Sequence, residues 1–200
     1  MRKLHLLLPL ALLALVLGLA ACGGGESDED KVVEVIETSA TSSDPADCKE
    51  LATQAFLEQT ELEQGAAAVK SCEESAEDTS DDPESVEVSE VEVDGSAATA
   101  DVAFSGGSFD GQTLSVALVE EDGDWKMDEV TGFAEFDQER LAGSFEEAFE
   151  RDNDVDPQLA TCFAEVIRDL PKAEAEEIVI GGSPEPIVEI IEGCSEGLEQ

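Results

Sequence analysis

Between Val86 and Met127 the apolar residues change their spacing, and that change constrains the fold more than any other feature of the chain. Val86, Val88, Val91 and Val93 alternate with polar residues, with a phase slip at Ser89-Glu90 of the kind a β-bulge produces. Asp94-Gly95 marks a turn, and Ala98, Ala100, Val102 and Phe104 form the next inward set. Gly106 to Gly111 reads as a loop. Leu114, Val116 and Leu118 then alternate again, and Asp122-Gly123 turns the chain into Trp125 and Met127. A period of two places alternate side chains on opposite faces of a sheet, and four strands in hairpin order are antiparallel neighbours. On both sides of this block the apolar spacing is helical. The predicted class is α+β: helices packed on a four-stranded antiparallel sheet, followed by a small all-α C-terminal unit.

The flanking helices have their own punctuation. A first helix is predicted from Lys31 to Ala40, with Val32, Val33, Val35 and Ile36 as its apolar content. Asp44-Pro45-Ala46-Asp47 reads as a helix start, Asp capping and Pro taking the first position. Cys48, Leu51, Ala52, Ala55 and Phe56 then share one helical face, and after Gly65 a short helix carries Val69, Cys72 and Ala76. Glu73 to Glu84 is polar and reads as loop. Beyond Gly132, Leu141, Phe145, Ala148 and Phe149 repeat at helical spacing. Asp156-Pro157 opens a helix with Leu159, Cys162, Phe163, Val166, Ile167 and Leu170 on its apolar face, stopped by Pro171. A short helix to Ile180 ends at Gly181-Gly182. Ser183-Pro184 begins the last, with Ile187, Ile190, Ile191, Cys194 and Leu198 on one side.

The amino terminus is of another kind. Arg2 and Lys3 precede an almost unbroken Leu/Ala/Val run from Leu6 to Ala21, the order of a secretory signal and short for a spanning helix. The run closes on Leu19-Ala20-Ala21-Cys22, which resembles the bacterial lipobox at all four positions. The resemblance implies that Cys22 receives a thioether-linked diacylglycerol and becomes the first residue of the mature chain. Acyl chains bury about 0.8 kcal/mol per CH₂, so two or three make a stable anchor. Gly23 to Asp30 reads as an acidic flexible tether.

Of the ten Lys and Arg, two precede Cys22, so the mature chain sets 50 acids against 8 bases, a formal charge of −42. Such a field repels nucleic acid and anionic head groups, leaving the lipid at Cys22 as the membrane contact. Four cysteines remain after Cys22, an even number in an exported chain, and two disulfides are expected. Spacing does not choose among the three pairings. Cys48 with Cys72 and Cys162 with Cys194 is the local solution, each pair within one helical unit and each partner on that unit's apolar face.

Helices followed by a curved sheet ending in Gly123-Asp124-Trp125-Lys126-Met127-Asp128-Glu129-Val130 resemble the nuclear transport factor 2-like cone fold. Asp44 to Glu74 is similar to the helical half of exported actinobacterial members of that superfamily, and the Cys162/Cys194 region looks like small disulfide-clipped helical domains appended to such proteins. The expected organisation is signal peptide 1–21, tether 22–30, cone-like domain 31–132 and helical domain 133–200. The resemblance implies a conical pocket. It does not imply one function, since the superfamily holds enzymes, ligand binders and scaffolds.

The chemistry available is narrow. The sequence has no Tyr, and its one His, His5, lies in the signal segment. Ser-His-Asp and Cys-His catalysis and ordinary His-containing zinc sites are thereby excluded from the mature chain. The isomerases and polyketide cyclases of the cone superfamily use His/Asp or Tyr/Asp pairs that have no counterpart here. Asp152-Asn153-Asp154-Val155-Asp156 has the start of a calcium loop, but Pro157 stands where the turn needs glycine and Phe163 where the bidentate Glu belongs. It reads instead as loop with Asp156 as a helix cap. The runs Glu26–Asp30 and Asp78–Glu84 read as solvated charge, and Trp125 as sheet-face core. No catalytic residue, metal ligand or cofactor is assigned.

The expected protein is a non-catalytic lipoprotein on the extracytoplasmic side of the cell membrane, binding a small apolar or cationic ligand or a protein partner. The alternatives are a cone-fold enzyme using a lone carboxylate and a structural surface lipoprotein without a discrete site. A cavity lined by Ala, Val and Phe favours binding, a buried Asp favours catalysis, and a filled cone favours the structural role.

Overall fold

The computed structural model describes residues 26–77, 79, 82–151 and 155–198. Four helices come first: α1 (Asp28–Thr41), α2 (Asp47–Glu50), α3 (Gln54–Thr60) and α4 (Ala66–Ser75). Strands β1 (Ser85–Asp94), β2 (Ala97–Ser105), β3 (Thr113–Glu121) and β4 (Asp124–Glu135) form one open antiparallel sheet in the order β1-β2-β3-β4. Helices α5 (Gln138–Arg151), α6 (Pro157–Asp169), α7 (Lys172–Ile180) and α8 (Glu185–Leu198) follow. This is the α+β class predicted from the change of period.

The strand punctuation acts as the sequence predicts. At the β3–β4 hairpin Asp122 and Gly123 both have positive φ, 56° and 99°, the conformation whose twist matches two right-twisted strands. The phase slip is a bulge: pairing between β1 and β2 shifts between Ser89 and Glu92, and Glu90 takes a φ of 49°. One face of the sheet carries Ala98, Ala100, Val102, Leu114, Val116, Leu118, Trp125 and Met127, packed beneath Val32 and Ile36 of α1. Trp125 is core, 3% exposed, and its indole Nε1 has no hydrogen-bond partner among the described residues.

Three helix boundaries differ from expectation, two for a local reason and one because of a contact with the sheet. Helix α1 starts at Asp28, inside the stretch expected to be tether. Ser27 Oγ accepts from the Asp30 amide at 3.1 Å while the Asp30 carboxylate accepts from the Ser27 amide at 3.1 Å, a reciprocal cap. Asp28, Glu29 and Asp30 also oppose the positive end of the helix dipole. Helix α2 begins at Asp47 rather than at Pro45. Asp44 Oδ1 accepts from the Ala46 amide at 3.0 Å, so Asp44 caps a turn that precedes the helix.

The single helix expected through Cys48 and Phe56 is broken at residues 51–53. There the backbone pairs with β4, Thr53 N–H donating to Met127 O and Met127 N–H to Leu51 O, both at 2.8 Å. An exposed strand edge carries unpaired amides and carbonyls, and satisfying them outweighs continuing the helix. Thr53 then restarts the chain as α3, its hydroxyl accepting from the Phe56 amide at 3.2 Å and donating to Asp128 Oδ1 at 2.9 Å.

The C-terminal helices build a second core. Ala142 of α5 and Phe163, Ala164 and Ile167 of α6 are buried, with Phe145, Phe149, Ile187, Ile190 and Ile191 packed around them. Cys162 and Cys194 are bonded and join α6 to α8, as their apolar faces predicted. Asp156 caps α6, accepting from the Gln158 amide at 2.8 Å, with Pro157 in the first turn. Asp152 to Asp154, the front of the calcium-like run, lie outside the described residues, as do the expected signal segment and Cys22. Among the described residues no helix is long and apolar enough to cross a membrane.

Candidate binding cavity

The helices do not close completely over the sheet. A cavity of about 490 Å³ lies between them, within the range that holds small molecules. Its floor is the buried sheet face, Val102, Leu114, Val116 and Met127. Ile36 near the end of α1 and Ala52, Phe56 and Leu57 around the helix break form the opposite wall. The break therefore does two things. It seals the edge of β4, and it lets the chain turn over the sheet without filling the space beneath.

The Cys48–Cys72 bond, also as expected, lies in the cavity wall and ties α2 to α4. Asp44, Asp47, Glu61 and Asp82 are the charged residues among the described lining of the cavity. The Ser42 hydroxyl donates to Asp47 and, at 3.1 Å, accepts from the Asp44 amide, so one serine holds both ends of this acidic turn.

At another end the wall is made by Phe104 and Phe109, their rings 5.8 Å apart. The loop between them is fixed by Asp110, which accepts from the Gly106 amide at 2.7 Å and from Arg140 Nη2 of α5 at 2.8 Å. The Gly106 amide first, and then Arg140, hold the Asp110 carboxyl below its ordinary range. Gly111 is needed beneath that arginine. Its φ is +73°, and a Cβ there would stand 2.3 Å from Arg140 Nε.

The C-terminal helices also reach the cavity. Val179 and Ile180, the last residues of α7, complete its lining. They are held by Gln59 of α3, whose Nε2 donates to Ile180 O at 2.8 Å and to Val130 O at 2.9 Å while its Oε1 accepts from Val130 N–H at 2.8 Å. One amide side chain thus satisfies the open edge of β4 and latches α7. A shallower polar cavity of about 340 Å³ shares Gln59 with the first, together with Glu58, Asp128 and Gly182. Gln112, fully buried, does the same work at the other end of β4, donating to Asp137 O at 3.0 Å and accepting from Asp137 N–H at 2.9 Å.

Sequence reasoning missed these glutamines, yet each stands in an apolar phase. Gln112 continues inward the Leu114, Val116, Leu118 series, Gln59 follows Ala55 and Phe56 at helical spacing, and Gln138 precedes Leu141, Ala142 and Phe145 likewise. Gln138 Nε2 donates to Ile167 O and Leu170 O at the end of α6, at 2.6 and 2.9 Å. A polar residue on a buried stripe needs a partner, and here the partner is backbone.

Among the described residues no Asp or Glu is buried; the buried polar side chains are Thr53, Gln112 and Ser144. Nor, among them, do three or more His, Cys, Asp or Glu gather as a metal would require. No family model, curated protein or solved structure matches the chain.

Proposed function

We propose that the chain is an exported lipoprotein, anchored to the extracytoplasmic face of the cell membrane through Cys22, which binds a small ligand in the cavity over its sheet. The cavity is the observation that carries the binding reading. It is roomy, its floor and much of its wall are Ala, Val, Leu, Met and Phe, and none of the described carboxylates that line it is buried. Those features support binding over a lone-carboxylate enzyme of the cone superfamily and over a scaffold with a filled cone. They also agree with the resemblance to nuclear transport factor 2-like proteins, in which the space between helices and sheet is the pocket.

Native mass spectrometry of the mature chain carrying Cys22→Ser tests the reading. The expected result is a copurifying small molecule that disappears when Ala40→Trp blocks the wall at the end of α1. A folded protein that retains no molecule, and takes up none from a cell-envelope extract, would refute ligand binding. The anchor is tested separately: Cys22→Ser should abolish incorporation of labelled diacylglycerol, and continued labelling removes the assignment.

A further inference from the structure

We infer that the cavity's ligand is a cationic amphiphile, an apolar body lodged on the sheet floor with an ammonium group at the acidic wall. This inference rests on the binding reading above and adds the ligand's chemical class. The floor, Val116, Met127 and Leu114, offers only carbon and sulfur side-chain surface, which rewards burial of an apolar body. Among the described residues the charged lining is of one sign, Asp44, Asp47, Glu61 and Asp82, with no lysine or arginine. The two lysines closest in sequence are engaged elsewhere, Lys49 with Glu73 and Lys70 with Glu74, so they do not cancel that charge.

A low-dielectric wall concentrates the field of such carboxylates into the cavity, and the chain's overall negative charge adds to it. An anionic amphiphile is repelled by the same field. A neutral one gains the burial without the attraction. The acidic turn is also preorganised, because Ser42 bonds both Asp44 and Asp47 before any ligand arrives.

The test compares three probes with the same twelve-carbon tail, each below its micelle concentration: dodecyltrimethylammonium, dodecyl maltoside and dodecyl sulfate. Titration calorimetry on the mature chain with Cys22→Ser should show one saturable site, tightest for the ammonium and weakest for the sulfate. Asp44→Asn with Asp47→Asn keeps both local hydrogen bonds and should weaken the ammonium about tenfold while leaving the maltoside unchanged. Raised salt should mimic that change. Because a protein this acidic also collects cations on its surface, Ala40→Trp must abolish the saturable site, with Ser39→Trp as a second block if the first fails to fold. Ammonium binding that survives both blocks overturns the inference. Equal affinity for the three head groups overturns it too, and leaves the apolar binding cavity standing. Failure of all three tails to bind removes both readings together.

Discussion

The two disulfide-clipped helical regions of this chain solve packing in opposite ways. Over the sheet, the buried residues around Cys48–Cys72 are Ala52, Leu57 and Ala68, with Phe56 and Val69 half-buried beside them. In the C-terminal unit, around Cys162–Cys194, three phenylalanines interlock: Phe163 meets Phe149 edge-on at 5.3 Å and Phe145 at 6.0 Å. Small residues at the contacts of one region leave space, and rings in the other consume it. Both regions are stapled over similar chain lengths, with sequence separations of 24 and 32. A staple is therefore compatible with either outcome. It restrains the unfolded chain and relieves a small core of part of its task, which allows the first region to keep a void.

The comparison breaks most visibly at the rings. Phe163→Ala should cost about 3–5 kcal/mol in denaturant unfolding, since its neighbours cannot collapse into the hole. Phe56→Ala, facing the cavity, should cost about 1–2 kcal/mol, because much of its surface already lacks a packed partner. Equal losses at the two positions would show that the cavity is filled in solution.

Adding volume sharpens the contrast. Ala164→Leu, at a fully buried position against Phe163, should destabilise by about 1–3 kcal/mol. Ala52→Leu should stay within about 1 kcal/mol of the parent, because the added carbons project into existing space. It should also displace a bound ligand, measured in the same calorimetric titration. A large loss at Ala52 would mean that the helix break does not tolerate growth.

The smallest expected effect is electrostatic. Glu146 in the C-terminal unit is held below its ordinary value of 4.5, chiefly by Arg168 at 3.0 Å and then by Thr161 at 2.9 Å. Asp110 beside the cavity is held below 3.8 by the Gly106 amide and Arg140. A carboxyl that is more acidic folded than unfolded binds fewer protons in the folded state. Its contribution is whole above the unfolded value and is lost as pH falls through the folded one. The stability gap between the parent and Glu146→Gln should therefore be constant above about pH 5 and shrink below 4.5. That between the parent and Asp110→Asn should shrink below 3.8. Pairs that keep this much contact with solvent contribute about 0–1 kcal/mol, so chemical unfolding at a series of pH values is the suitable measurement.

Much of this architecture was legible in residue order. Alternation from Val86 to Met127, the slip at Ser89-Glu90 and the Asp-Gly turns map onto strands, bulge and hairpin, because each is a local response of backbone to side chain. The pairing of the four cysteines was legible for the same reason, each lying on the face its helix buries. The break at residues 51–53 was not, since nothing local announces that β4 will need partners there. The cavity was legible only as an expectation attached to the resemblance. That Val179 and Ile180 form part of it was hidden, because the Gln59 contact that places them spans 121 residues.

That separation bears on when the cavity comes into being. Its walls draw on Ile36 at one extreme and Ile180 at the other, so the space is enclosed only once the chain as far as Ile180 can fold. The hairpins and the Cys48–Cys72 loop close over short distances and can form early, while joining Gln59 to Ile180 carries the entropy of a long loop. Until that contact is made, the floor lies beneath α1 and α3 alone, and the side of the cavity that Val179 and Ile180 line stays open. Docking of α7 is thus the closing step for the cavity: it adds a last wall to a floor that the sheet, α1 and α3 have already set.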